Sequence, residues 1–110
     1  TSELVSTGQT GRTYNFEFYM NCAYALNRDK LKCRVCGRWL ITGKLCTHRI
    51  NPGLPIGKIN KVNNLASMDK ECYRIVNDKT ANLSHLDTKT RKNVEKFRKQ
   101  LDKSHDKATV

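Results

Sequence analysis

Apolar residues are in short supply: they make up 37% of the 110 residues, and the mean hydropathy is −0.70. A chain this short and polar cannot build a large interior. It is one domain, or a small core with tails, and a metal staple would help it fold. No apolar run approaches the ~20 residues of a membrane span, and no stretch reads as a signal peptide. Acidic side chains are scarce too, 10 against 21 Lys and Arg, which leaves a formal net charge of +11 and a pI near 9.7. Such a surplus fits a polyanion, and with the membrane set aside the expected partner is nucleic acid. Cysteine lacks an even set: Cys22, Cys33, Cys36, Cys46 and Cys72 are five. With no secretory context, that argues against a disulfide framework and for metal-ligand cysteines in a reducing, cytoplasmic setting. No internal repeat or low-complexity tract is present. A chain opening at Thr1 rather than Met is expected to be a mature form or a fragment of a larger protein.

What is there begins with a linker. Residues 1–13 are polar, contain glycine and have no periodicity, so they read as a linker or disordered arm. From Tyr14, the residues Phe16, Tyr19, Met20, Ala23, Tyr24 and Leu26 recur at helical spacing through about Asn27, with Asn15 as N-cap. That aromatic stripe serves either as core or as a base-stacking surface. Trp39–Ile41, a Thr42-Gly43 turn and Lys44–Ile50 predict a short hairpin. Residues 51–57, with two prolines and two glycines, predict an irregular loop, and 60–64 a polar turn. Leu65, Met68, Cys72, Ile75 and Val76 fit one helix face, with Ser67 or Asp69 as N-cap and an end near Asn77-Asp78. From Thr88 a last helix carries Val94, Phe97 and Leu101 on a narrow stripe that predicts light docking. Its other face is basic, either a phosphate-binding surface or a solvated one.

The chemistry concentrates between Cys33 and Asn77. Cys33-Arg-Val-Cys36 is a knuckle whose thiolates can hold a zinc ion from one side, and Asp69-x-x-Cys72 is the available second pair. A strand histidine, His48, an Asn-Leu turn and a short helix lie between and after them. That order is the ββα plan of a metal-dependent nuclease, in which one divalent ion clamps the phosphate and a histidine activates water.

Residues 14–78 resemble the HNH endonuclease domain at the C-terminal end of group II intron-encoded reverse transcriptase/maturase proteins. The resemblance lies in Ala25-Leu-Asn-Arg-Asp-Lys-Leu-Lys-Cys33-Arg-Val-Cys36-Gly and His48-Arg-Ile-Asn-Pro52-Gly-Leu-Pro55. It continues in Ile59-Asn-Lys-Val-Asn-Asn-Leu-Ala-Ser-Met68 and closes on Cys72. It implies an α+β fold: a small zinc-stapled ββα core (the HNH or His-Me finger) at 14–78, flanked by helices, with 79–110 as a basic helical tail. It sets His48, Asn64 and Asn77 in the catalytic positions, with Mg²⁺ or Mn²⁺ as the cofactor of an active enzyme. It also implies a structural Zn²⁺ on Cys33, Cys36, Cys72 and Asp69, or with Cys46 in place of Asp69.

The departures bear on activity. The family pairs two histidines before Ile, the first a metal ligand and the second the general base; here the second place is Arg49, whose guanidinium cannot accept a proton. Asp69 stands where the family's zinc site has His or Cys, Tyr73 where it has His, and Asn77 where its helix histidine falls. The expectation is a degenerate nuclease domain that holds target DNA, or intron RNA, through Arg34, Arg38, Lys44, Arg49, Lys92, Lys96 and Lys99 as part of a larger RNA-directed DNA polymerase. The alternative is an active strand-nicking endonuclease, and Arg49→His is the substitution expected to move the first towards the second.

Overall fold

The computed structural model describes residues 14–40 and 44–109, so the linker expected at 1–13 lies outside the described residues. Within them the chain is α+β, a two-stranded antiparallel sheet enclosed by helices. Helix α1 (Phe16–Arg28) starts where the sequence places it: the Asn15 side chain accepts the Phe18 backbone N–H at 3.1 Å. It ends in a tight reversal in which Lys30 and Leu31 take φ of 57° and 61°. Two consecutive left-handed residues without glycine are costly, so the reversal is imposed by what it positions, the Cys33 knuckle.

Strand β1 (Leu45–Arg49) pairs with β2 (Leu65–Asp69) in the register Leu45↔Asp69 to Arg49↔Leu65. This corrects two expectations. The partner of β1 is not 39–41: Trp39 bridges back to Lys32, and 41–43 lie outside the described residues. Residues 65–69 are strand rather than the first turn of a helix. All of Leu65–Met68 is buried because both faces of the strand are covered, so the period-two alternation of a half-buried strand never appears. The connection holds a short helix α2 (Ile56–Ile59), shortening the irregular loop expected at 51–57, and a 3₁₀ turn at Val62–Asn64. Helix α3 (Lys70–Asn77) then follows β2 directly with Asp69 as its N-cap, the second of the two residues expected there.

The sheet divides two cores. Ala66 and Met68 join Cys33, Val35, Cys72, Ile75, Val76, Val94 and Phe97 on one side; Leu65 joins Phe18, Cys22 and Ala25 under α1 on the other. The first core takes in α4 (Thr88–Thr109): Val94 is 0% and Phe97 4% exposed, so this helix is part of the interior rather than a lightly docked tail. The α1 core is small, and polar clamps supplement it. Arg28 donates to the carbonyls of Val62 and Leu65, and Asn21 to that of Asn60. Asp29, its side chain 3% exposed, accepts the Ser67 N–H at 3.0 Å while the Arg34 N–H donates to the Ser67 carbonyl at 2.8 Å. Those two bonds occupy the outer edge of β2 at Ser67, its central residue. Among the described residues, no helix is long and apolar enough to cross a membrane.

Candidate functional site

The knuckle is built from backbone first. Cys33 donates to the Arg38 carbonyl at 2.9 Å, and Gly37 to that of Cys33 at 3.0 Å. Gly37 takes φ +78°, a conformation that a side chain would strain. The loop turns the Val35 N–H onto Cys33 Sγ at 3.4 Å, a donor that favours a thiolate. Facing it, Asp69 divides its carboxylate. Oδ1 accepts the Cys72 N–H at 2.7 Å, capping α3, while Oδ2 lies 3.2 Å from Cys36 Sγ. Strand end and helix start therefore deliver Asp69 and Cys72 together to the knuckle.

One ligand atom from each of Cys33, Cys36, Asp69 and Cys72 lies within 4.8 Å of all the others, and this group could hold a metal ion. Ligands of a tetrahedral thiolate site stand ~3.8 Å apart, so an ion needs to draw these four in by no more than about 1 Å. Cys46 is not among them. The electrostatics agree with the geometry. The hydrogen bond donated by the Cys72 thiol pushes Cys33 down to about 6 and pushes Cys72 itself up. Burial pushes Cys36 up to about 11. Burial also works against the Asp69 carboxylate, but the Cys72 N–H and the neighbouring thiols outweigh it and keep its pKa below the ordinary value. An anionic donor already sits among thiols that a cation would deprotonate.

The strand pair His48-Arg49 is arranged differently. His48 is 2% exposed and lies between the rings of Tyr73 and Phe97, with centroids at 6.1 and 5.6 Å, both edge-on. Its Nε2 is buried with no hydrogen-bond partner among the described residues, and burial pushes its pKa down to about 4. Arg49 points to the opposite face of the sheet. It is 8% exposed, with its guanidinium 3.7 Å from the Tyr14 ring centroid and 5.0 Å from that of Phe18, and it donates to Asn60 Oδ1 at 2.7 Å. Arg49 is thus withdrawn from the surface on which the sequence reading placed it as a phosphate anchor. A histidine in its place would meet the same aromatic wall, away from His48.

The two asparagines serve the backbone. Asn64, 5% exposed, accepts from Asn51 N–H at 2.9 Å and donates to the carbonyls of Asn51 and Ile59, fastening both ends of the β1–β2 connection. Asn77 is exposed and donates to the Tyr73 carbonyl at 2.8 Å, one turn back in α3. His48 is thus enclosed by rings, while the side-chain amides of Asn64 and Asn77 are engaged with backbone groups. Among the described residues the cysteine–aspartate group is the one set of three or more His, Cys, Asp or Glu side chains close enough for a metal. The remaining expected anchors, Arg34, Arg38, Lys44, Lys92, Lys96 and Lys99, are all exposed.

Sequence reasoning missed four residues that shape the site. Tyr73 and Phe97 cover His48, Asn60 pins Arg49, and Asp29 closes the β2 edge. For Tyr73 the signal was present, since an aromatic follows Cys72 where the resembled family has histidine. Asn60 gave none, because its partners are 11 and 45 residues away. Comparison of the chain with known protein families, curated proteins and solved structures gives no match.

Proposed function

We propose that the chain is a DNA-holding domain of HNH endonuclease type that does not cut, folded around a structural zinc and belonging to a larger group II intron reverse transcriptase/maturase. The observation that carries this reading is the burial of His48 beneath Tyr73 and Phe97. A general base or a phosphate-clamping ligand must reach water or substrate within hydrogen-bond distance. His48 reaches neither, and Arg49 lies on the far face holding Asn60. Without a proton acceptor the rate loses the roughly 10²–10⁴-fold that general-base assistance supplies. Mg²⁺ or Mn²⁺ would find only an enclosed imidazole and an exposed amide that is engaged with its own helix.

Zinc is the metal that suits three thiols and a carboxylate that an ion can draw into a tetrahedron. Its contribution is to cross-link the knuckle to the β2–α3 junction, so that binding and folding are one event. Holding is supported by the charge of +11 together with the exposed Arg34, Arg38, Lys44, Lys92, Lys96 and Lys99. Target DNA is the ligand of this reading, and intron RNA is the competing polyanion.

The test pairs a mobility-shift titration on DNA and RNA with conversion of supercoiled to open-circular plasmid in Mn²⁺. The expected result is binding without nicking above background, unchanged in Arg49→His. Nicking by the unaltered chain that disappears in His48→Ala would replace the holding reading with that of a strand-nicking enzyme.

A further inference from the structure

Trp39 is the one tryptophan of the chain, and it is 66% exposed. Single exposed apolar side chains are ordinary, but this one is built in. The Lys32↔Trp39 bridge is flanked by the Cys33 N–H to Arg38 carbonyl bond at 2.9 Å and the Leu40 N–H to Leu31 carbonyl bond at 2.8 Å. The ring therefore stands on the frame that fixes the knuckle rather than on a loose loop. Of the exposed aromatic side chains Phe16, Tyr24 and Trp39, it alone has a cation of the described residues over its face, Lys32 Nζ at 4.9 Å from the centroid.

Lys32 also lines a cleft of about 290 Å³ between the knuckle and the start of α4, along with Arg34, Gly37, Lys89 and Asn93. Arg34 spends one nitrogen on Asp29 at 3.2 Å and leaves the rest of its guanidinium at the surface. Asp87 lines the cleft as well, but its Oδ1 is taken by the Thr90 N–H at 2.7 Å. An aromatic plate beside a basic groove is the arrangement that binds nucleic acid with its bases unstacked: the plate takes a base face and the groove takes the backbone. A duplex cannot use the plate, because its base faces are already stacked on one another.

We propose that Trp39 is a stacking site for an unpaired base, with Lys32, Arg34 and Lys89 receiving the adjoining phosphates, so that the strand held here is single-stranded. This rests on the nucleic-acid-holding reading above and narrows its ligand. Base–aromatic stacking is worth on the order of tenfold or more in affinity per base.

The single tryptophan makes the contact directly observable. The full zinc-loaded chain is titrated with an oligothymidylate of about a dozen nucleotides, the span of one binding site, with a duplex of equal length and with inorganic polyphosphate, following indole fluorescence and affinity together. The oligothymidylate is expected to quench Trp39 and the other two are not. Trp39→Ala should weaken oligothymidylate roughly tenfold while leaving the duplex and polyphosphate affinities in place, and Trp39→Phe should keep most of it. Oligothymidylate binding that is unquenched and unaffected by Trp39→Ala overturns the stacking site while leaving the holding reading intact. So does a loss in Trp39→Phe as large as in Trp39→Ala, since a phenyl face still stacks. Binding of none of the three overturns both.

Discussion

At the scale of single residues, Asp69 shows how one side chain serves folding and chemistry together. Its Oδ1 caps α3 on Cys72 N–H, and its Oδ2 faces the thiols. The two duties separate by substitution. Asp69→Asn keeps an acceptor for the cap and removes the anionic donor, so zinc affinity, read by competition with a chromophoric chelator, should fall about tenfold or more with little loss of helix. Asp69→Ala should lose the same affinity and about 1 kcal/mol of stability besides. Equal zinc affinity in all three proteins would remove Asp69 from the ligand set. His48 offers a second test, through pH. Its pKa in the fold, about 4, lies below the ordinary 6.5 because burial disfavours the imidazolium. Above pH 6.5 both folded and unfolded chains are neutral there and nothing is lost. As pH falls from 6.5 towards 4, the unfolded chain takes up a proton that the fold refuses, and stability declines. Between pH 7 and 5 that amounts to about 2 kcal/mol. Urea unfolding at both pH values should therefore show a smaller loss in His48→Phe than in the unaltered chain, with zinc equal in each. Identical losses would mean that the imidazole is not buried in solution.

Elements differ in how plainly the sequence announces them, and the reason is where each finds its partners. Helix α1 was legible because its periodic stripe and its Asn15 cap are local signals, and the start of α4 at Thr88 was legible from its stripe. Strand β2 was not, since Leu65, Ala66, Ser67 and Met68 are buried on both faces and their spacing to Cys72 and Ile75 mimics a helix. The β1–β2 pairing joins residues 16 to 24 apart, as Arg49↔Leu65 and Leu45↔Asp69, and no local turn signal encodes it. The two halves of the group that could hold a metal were legible, because the Cys33-x-x-Cys36 knuckle and the Asp69-x-x-Cys72 step are each local, whereas the choice of Asp69 over Cys46 needed the fold. The enclosure of His48 could not, as it depends on a helix nearly fifty residues downstream. That helix is fastened by more than its stripe: Arg98 donates to the Ile75 and Asp78 carbonyls at the end of α3, at 2.7 Å each from its Nη2. It thereby satisfies carbonyls that the helix terminus leaves open. Arg98→Ala should cost about 2 kcal/mol in urea unfolding, as expected for charged donors to part-buried carbonyls. It should also make the His48 ring accessible to diethyl pyrocarbonate. A cost indistinguishable from zero would show that Val94 and Phe97 alone seat the helix.

Over the whole molecule, charge is disposed so that packing and binding use opposite sides of α4. Val94 and Phe97 enter the core, whereas Lys92, Lys96 and Lys99, spaced i, i+4 and i+7, stand together in solvent about half a turn away. The core can therefore be kept while the charge is removed. Nucleic-acid affinity that comes from phosphate contacts falls with salt at a log–log slope of about −0.9 for each phosphate neutralised on a duplex. Replacing Lys92, Lys96 and Lys99 by Gln should leave the unfolding transition within about 0.5 kcal/mol of the original, since exposed substitutions away from caps and networks rarely do more. On a duplex the same triple change should make the slope shallower by roughly 3 units if each lysine meets one phosphate. Gln is unbranched and polar like Lys and matches its helix propensity, so the comparison chiefly isolates charge. A triple variant with an unchanged slope would place the contacts elsewhere, on Arg34, Arg38 and Lys44 around the knuckle, and would leave the basic face of α4 as a solvated surface.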